Sequence, residues 1–149
     1  MRDVGKNKGF TLIELVVIIV IVGIVALIAA PRFFSQPTFD AARFHEAAIS
    51  TIRFGQKVAV AQRADVFVVT NASTLVLCYD AGCATTVKNP GGSEDFVIQI
   101  PSGIGITISS FNFNSLGQPN PNVQTILTIS GDGTMRQIVV EQETGYVHK

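Results

Sequence analysis

The most apolar part of the chain lies near its beginning. Sixteen consecutive residues, Leu15 to Ala30, carry no charge, and counted from Phe10 the mainly apolar segment is 21 residues long. As a helix such a segment would extend about 31 Å, which is enough to cross a bilayer. Residues 10–30 are therefore predicted to form a membrane-spanning helix.

A second helix is predicted after the apolar run. Pro31 lacks an N–H and crowds the carbonyl four residues earlier, so a kink near residues 27–31 and a connector at 31–37 are expected. Thr38 is a good N-cap, and the period of the following residues predicts a helix over 39–64. Its apolar side should pack on a sheet; this side comprises Phe44, Ala47, Ala48, Ile52, Phe54, Gly55, Val58, Ala59 and Ala61. Its polar side comprises Glu46, Ser50, Arg53 and Lys57.

Strand patterns dominate from residue 66 onward. Alternating or β-branched runs predict strands over 66–70, 74–79, 96–100, 104–108, 111–113, 123–129, 135–141 and 146–148. The apolar phase slips at Ser109-Ser110, which predicts a bulge or a strand break. Residues 81–95 and 117–122 are expected to be exposed loops. Helix followed by strands indicates an α+β fold: a long N-terminal helix, apolar then amphipathic, packed on an antiparallel sheet head.

Composition divides the chain into a membrane segment and one head, residues 38–149. The whole chain has 11 basic and 11 acidic residues, but Arg2, Lys6 and Lys8 outweigh Asp3 ahead of the apolar run. By the positive-inside rule, residues 1–8 should be cytoplasmic and the head should lie across the membrane. After residue 9 there are 8 basic and 10 acidic residues, a net charge of minus two, which argues against a general nucleic-acid-binding surface.

The apolar run could be a cleaved secretory signal, an ordinary anchor or an anchor with a further role. It is longer than a signal peptide requires, and Leu27-Ile28 place bulky residues where a small-x-small cleavage site is needed. An ordinary anchor does not require Glu14. A charge within a bilayer costs about 2.5 to 3.5 kcal/mol and is normally paired, although a glutamate one turn into a helix could also reach the headgroups.

The string from Lys8 to Leu15, KGFTLIEL, follows a short basic leader and closely resembles the type IV prepilin motif. The resemblance implies that a prepilin peptidase cuts between Gly9 and Phe10 and methylates the new amine of Phe10. Residues 1–9 would then be a leader peptide, and Glu14 would hold the assembly-glutamate position.

A charge pair makes this role of Glu14 physically reasonable. Cleavage creates a cationic amine at Phe10 near the membrane, and a carboxylate can neutralise it through a charge-assisted hydrogen bond. Glu14 lies about one helical turn away, so it could meet its own amine or that of an adjacent subunit. Pairing between subunits would favour lateral association of helices at a particular offset.

The head carries a second, looser resemblance. The segments Phe113 to Gly117, Ile138 to Val140 and Thr144 to Val147 are similar to H-type pseudopilins of type II secretion and to FimT-like minor pilins. Pro31 to Phe34, together with Phe39 to Ala42, is similar to minor pilins of the mannose-sensitive haemagglutinin (MSHA) kind. These resemblances imply a bacterial inner-membrane protein that enters a pilus or pseudopilus and acts in initiation or capping. The implied partners are the peptidase, other subunits, the inner-membrane assembly platform and lipid; a head that binds DNA or a surface is the alternative.

Cys78 and Cys83 enclose four residues and favour a short disulfide loop in an oxidising compartment, with free thiols as the other possibility. His45 and His148 have no spacing suitable for zinc and are expected at the surface. Asp132 is expected in a hairpin turn, and Asn89, Ser93, Glu94 and Asp95 in a solvated loop, since no EF-hand spacing is present. Neither a catalytic motif nor a cofactor is indicated, so we expect no enzyme.

Overall fold

The computed structural model describes residues 9–34 and 37–149. The chain divides after residue 36 into two compact units, which are described in turn. The predicted leader, apart from Gly9, lies outside the described residues.

The first unit is helix α1, Leu12–Phe34. Its sequence is nearly continuous Leu, Ile, Val and Ala, and Glu14 is the acidic residue of its first turn. The helix extends through Pro31 to Phe34, so the first four residues of the predicted connector are helical. The predicted kink remains a prediction. Among the described residues, no helix is both long enough and apolar enough to cross a membrane.

The second unit begins with helix α2, Pro37–Gln62, close to the predicted range. Its buried side chains are Ala41, Phe44, His45, Ala48, Ile49, Thr51, Ile52, Val58 and Ala59. Gly55 allows the helix to lie close to the strands, because a Cβ there would be 3.0 Å from Cδ2 of Leu77. The prediction of a helix packed on a sheet is confirmed, although Ala61 is exposed rather than buried.

Nine strands follow α2 and form two antiparallel sheets. The strands are β1 Val66–Thr70, β2 Thr74–Cys78, β3 Val97–Gln99, β4 Gly105–Ile106, β5 Ser110–Phe113, β6 Pro119–Asn120, β7 Thr125–Gly131, β8 Thr134–Val140 and β9 Val147–His148. The first sheet has the order β3-β2-β1-β5-β6, and the second has the order β4-β7-β8-β9. The α+β class is confirmed, with two sheets in place of one.

The predicted break at Ser109-Ser110 is the point where the chain passes between the sheets. β4 pairs with β7 in the second sheet, whereas β5 pairs with β1 in the first. Thr70 fixes the crossing, because its hydroxyl donates to the carbonyls of Thr107 and Ser109 at 2.8 and 3.1 Å. The phase slip therefore marks a change of sheet.

One predicted loop contains a strand. Residues 117–122 were expected to be exposed, but β6 pairs with β5 through Pro119 and Phe113, and Pro119 is buried. This expectation was wrong because the turn-forming composition of the segment outweighed its strand signal. An edge strand can accept a proline that has no N–H to donate.

The core of the head lies between α2 and the inner faces of both sheets. Its fully buried larger side chains are Ile52, Val66, Val68, Leu75, Leu77, Val87, Phe113, Leu127, Ile129, Ile138, Val140 and Val147. In β1, β7 and β8 these residues alternate with more exposed ones, which is the pattern of strands with one buried face.

Candidate functional site

The residues at the predicted cleavage site precede α1. Phe10 is 72% exposed and lies outside the helix. Thr11 is the N-cap: its hydroxyl accepts the N–H of Glu14 at 3.3 Å, and its carbonyl accepts the N–H of Leu15 at 3.2 Å. Glu14 thus occupies the third helical position, as in a capping box. The Thr-x-x-Glu spacing signals this role in the sequence, but the cap was not predicted.

Glu14 is exposed in the first turn of α1. Within the described part of the chain, its carboxylate forms no salt bridge. A carboxylate near the first turn is stabilised by the helix dipole, and the exposed position leaves it accessible to a cation from its own chain or from another. The structure places Phe10 and Glu14 one turn apart but does not test the predicted cleavage, methylation or charge pair.

The rest of α1 offers an apolar surface. All described side chains from Phe10 to Leu27 are exposed, including every large aliphatic residue. Soluble proteins rarely expose apolar patches of this extent. This surface would be buried by lipid or by other helices.

In the head, the polar edge of α2 binds main-chain carbonyls of β8, of β9 and of the turns at Gly117 and Thr144. Nε2 of His45 lies 2.9 Å from the carbonyl oxygen of Gln137. Arg53 donates from Nε and Nη2 to the carbonyl of Val147 at 3.0 and 2.7 Å. Gln56 donates from Nε2 to the carbonyls of Gly117 and Thr144, both at 2.9 Å.

These contacts correct one expectation. His45 was predicted at the surface, but only 5% of it is exposed. The helical wheel placed His45 on the polar side of α2, but it could not show that β8 lies beside that side of the helix. The carbonyl of Gln137 lets the imidazole be buried without an unsatisfied polar atom.

Two glycines in turns from different sheets lie close together. A Cβ on Gly145 would lie 2.0 Å from the carbonyl oxygen of Gly117, and Gly145 has a φ of +63°. Both the contact and the dihedral angle exclude a larger residue. Gly117 and Gly145 belong to two of the three head segments that carried the second resemblance, and their contact was not among the predictions.

A groove of about 550 Å³ lies between the first turns of α2 and β8. It is lined by Ala42, His45, Glu46, Thr128, Met135, Arg136, Gln137 and Lys149. Its charged groups are neutralised in pairs: Arg136 Nη2 is 3.0 Å from Asp132 Oδ2, and Lys149 pairs with Glu46. The groove therefore offers no free basic cluster for a nucleic acid.

The structure joins Cys78 and Cys83 in a disulfide. Asp80, inside the loop, accepts the N–H groups of Ala84 and Thr85 at 2.9 and 2.8 Å. These hydrogen bonds lower the pKa of the Asp80 carboxyl from its ordinary value. The carboxylate and the disulfide together hold the turn that leads from β2 into residues 84–95.

Two of the candidate metal ligands, Asp132 and Asp95, form other contacts. Asp132 lies in the turn between β7 and β8, where Arg136 and Thr134 lower the pKa of its carboxyl. Asp95 binds Lys88 and Thr86, and these bonds lower the pKa of Asp95. The described residues contain no cluster of His, Cys, Asp or Glu that could hold a metal ion.

Comparison with protein families matches residues 5–30 to the prokaryotic N-terminal methylation motif. No curated protein matches the chain by sequence. Among solved structures, the type IV minor pilin FimU of Pseudomonas aeruginosa is similar with a TM-score of 0.54 at 13% identity, over 74% of this chain and 85% of FimU. The minor pseudopilin EpsH of the Vibrio cholerae type 2 secretion system is similar with a TM-score of 0.52 at 13% identity, over 76% of this chain and 95% of EpsH.

The family match and the structural matches concern different features of the chain. The motif match covers the prepilin-like segment around Gly9, Phe10 and Glu14. The structural likeness shows that the chain has the α+β fold shared by a minor pilin and a minor pseudopilin. The chain thus combines the N-terminal methylation motif of type IV prepilins with a pilin-like fold.

Proposed function

We propose that the chain is a minor pilin or pseudopilin subunit, a structural protein that assembles into a type IV pilus or a type II secretion pseudopilus. The observation that supports this proposal is the N-terminal methylation motif over residues 5–30, within which all described apolar side chains from Phe10 to Leu27 are exposed. In a soluble monomer this apolar surface would remain in contact with water. A subunit that leaves a bilayer for a bundle of similar helices would bury it in both places.

Before assembly, residues 10–30 hold the subunit in the inner membrane, with residues 1–8 cytoplasmic and the head periplasmic. The basic leader supports this orientation, and the Cys78–Cys83 disulfide supports an oxidising compartment for the head. Prepilin peptidase then removes residues 1–9 and methylates the amine of Phe10.

Assembly depends on Glu14. An ionised carboxylate without a partner is costly in lipid, whereas a carboxylate that meets the Phe10 amine of a neighbouring subunit is neutralised. The helices associate at the offset that joins these two groups, and the assembly platform supplies subunits to the growing end. The capped first turn keeps Glu14 exposed for this contact.

The likeness to FimU and EpsH supports a minor rather than a major role, because both of those proteins are minor subunits. Initiation or capping of the filament suits a subunit present in few copies. The MSHA-like segment at Pro31 to Phe34 favours a pilus over a secretion pseudopilus as the machine.

Intact mass measurement of the mature protein tests the processing step. We expect a chain that begins at Phe10 and carries one methyl group on its amine. A mature protein that retains Met1 to Gly9 would refute the proposal. Tandem mass spectrometry of the N-terminal peptide separates methylation of Phe10 from methylation elsewhere.

Substitution of the assembly glutamate tests the next step. Glu14→Gln should insert and be cleaved normally, but its recovery in sheared filaments should fall at least tenfold, because the neutral amide cannot compensate a cationic amine. Glu143→Gln, an exposed head carboxylate, is the matched control and should be recovered like the unmodified chain. Equal recovery of both variants would contradict the charge-pair mechanism while leaving the processing result intact.

A further inference from the structure

The last strand in the sequence, β9, is held to β8 by a histidine with two acceptors. Val147 and His148 pair with Val140 and Val139 at the edge of the second sheet. Nε2 of His148 lies 2.8 Å from Oε1 of Glu141, and Nδ1 lies 2.8 Å from the main-chain oxygen of Lys149.

We propose that β9 is a pH-dependent latch on the edge of β8, closed while His148 is protonated and loosened when His148 loses its proton. This inference concerns the head alone and does not depend on the assembly role of the N-terminal segment.

The hydrogen-bonding capacity of imidazole carries the argument. A neutral ring has one N–H donor and one lone-pair acceptor, whereas the protonated ring has two donors. Both ring nitrogens of His148 face oxygen atoms that can only accept at 2.8 Å. Deprotonation therefore leaves one nitrogen lone pair directed at an oxygen, and the arrangement can no longer be satisfied in full.

The surrounding charges agree with this geometry. The Glu141 carboxylate first, and then the Lys149 main-chain oxygen, raise the pKa of His148, while the Arg53 guanidinium opposes them. The hydrogen bond from His148 in turn lowers the pKa of Glu141. The Lys149 ammonium is paired with Glu46 on α2, and the Tyr146 ring stacks on the imidazole at a centroid distance of 5.3 Å.

The direction of the pH effect follows. A histidine whose pKa is raised by folding contributes stability in full below its unfolded pKa and loses it as pH rises through the folded value. The latch is therefore closed at mildly acidic pH and loosens on the alkaline side of the raised His148 pKa. In strong acid, protonation of Glu141 removes the other half of the pair.

The latch controls how much of the β8 edge is free. Residues 134–138 have β7 on one side; within the described residues no strand lies on the other side, where His45 of α2 binds the carbonyl of Gln137. Loosening of β9 would add the backbone groups of Val139 to the part of this edge that no strand covers. The pH of the medium would therefore regulate how much of the β8 edge is left without a partner strand.

Amide hydrogen exchange of the full chain in detergent micelles tests the latch between pH 5.5 and 9, after correction for the intrinsic exchange rate. Protection at Val139, His148 and Glu141, whose N–H donates to Tyr146 at 2.9 Å, should fall as His148 deprotonates. Protection can fall by up to tenfold for each unit by which folding raises the pKa of His148. Protection at Leu127 and Ile138, which pair between β7 and β8, should not change.

Three variants make the test specific. His148→Gln keeps a donor for Glu141 but cannot titrate, so its protection profile should be flat with pH. Glu141→Gln should lower the His148 pKa, measured by NMR, toward its ordinary value. His45→Gln, which removes the other head histidine, should retain the pH-dependent profile. A flat profile in the unmodified chain, or one that persists in His148→Gln, would overturn the proposal.

Discussion

Gly145 shows how a single residue can determine whether the two sheets of the head can lie close together. Its main chain lies against the carbonyl of Gly117, and Gln56 donates to both Gly117 and Thr144 at this junction. The contact leaves no room for a methyl group, and the positive φ would strain any other residue. The sequence signalled a turn at Gly145 but not the residue it would meet, because Gly117 and Gly145 are far apart in the chain.

Replacement of Gly145 should therefore destabilise the head strongly. Gly145→Ala combines a clash with main-chain oxygen and a left-handed conformation, and we expect a loss of about 2 to 4 kcal/mol in the free energy of unfolding. Chemical denaturation followed by circular dichroism measures it. Gly91→Ala is the matched control, since a Cβ at Gly91 has no atom within 4 Å, and it should change stability by less than about 0.5 kcal/mol.

At the level of elements, α2 is the part of the molecule that both sheets share. Its apolar side faces the strands through residues such as Phe44 and Ile52, and its polar edge binds main-chain carbonyls through His45, Arg53 and Gln56. The helix contacts strands of both sheets, so its loss would expose the inner faces of both.

Truncation of a buried side chain on α2 should be far more costly than truncation of an exposed one. Ile52→Ala removes a side chain with no solvent exposure and should reduce the free energy of unfolding by about 2 to 5 kcal/mol through lost burial and a cavity. Val60→Ala, at a half-exposed position on the same helix, should cost less than about 1 kcal/mol. Similar losses in both variants would show that α2 does not pack as described.

The disulfide between Cys78 and Cys83 is expected to stabilise mainly its own loop. Replacing Cys78 and Cys83 by serine opens a loop with a sequence separation of 5, and a loop this short is worth about 2 kcal/mol at most on chain-entropy grounds. We expect faster amide exchange at Tyr79 and Ala84, with little change in β7 and β8. Global unfolding of the double variant at 25 °C would contradict this local role.

Local sequence patterns predicted the helices and strands better than they predicted which of these elements contact each other. The period of apolar residues located α2 to within two residues at each end, and alternation located most of the strands, because these periods arise from local geometry. The division into two sheets was visible only as the phase slip at Ser109-Ser110. The burial of His45 and the strand at Pro119 depend on groups distant in sequence, and no local pattern encodes them.

The residues of the candidate site also differ in whether the local sequence predicts their role. Gly9, Phe10 and Glu14 lie within one short segment, so the motif was readable from the sequence alone. The Thr11 cap was also readable and was overlooked. The contacts of α2 with Gly117, Gln137 and Val147 could not be inferred, since they require the complete topology of the head.

On the scale of the whole molecule, several carboxylates have pKa values lowered by folding. These are Glu46, Asp80, Asp95, Asp132 and Glu141, each through hydrogen bonds or a nearby cation. A carboxyl whose folded pKa is depressed contributes stability that is present above its unfolded pKa and is lost as pH falls through the folded value. The head should therefore lose stability progressively below about pH 4.

Denaturation midpoints at pH 7, 4 and 2.5 measure this loss. Asp132→Asn removes one of these carboxyls, whose pKa is lowered mainly by the hydrogen bond from Arg136. The substitution should make the decline in stability between pH 4 and pH 2.5 less steep. Asp65→Asn is the control substitution at an exposed position. A slope that Asp132→Asn does not alter would show that the Arg136 contact contributes nothing to acid sensitivity.

The polar edge of α2 also has a consequence for the order in which the chain can fold. His45, Arg53 and Gln56 bind carbonyls that follow them by 92, 94 and 88 residues. A head exported from its N-terminal end would deliver α2 first and these acceptors last, so the helix edge stays unsatisfied until nearly all of the chain has emerged. In a chain exported in this order, the head could complete its fold only near the end of export, and a subunit truncated before Thr144 would lack the last acceptors for α2.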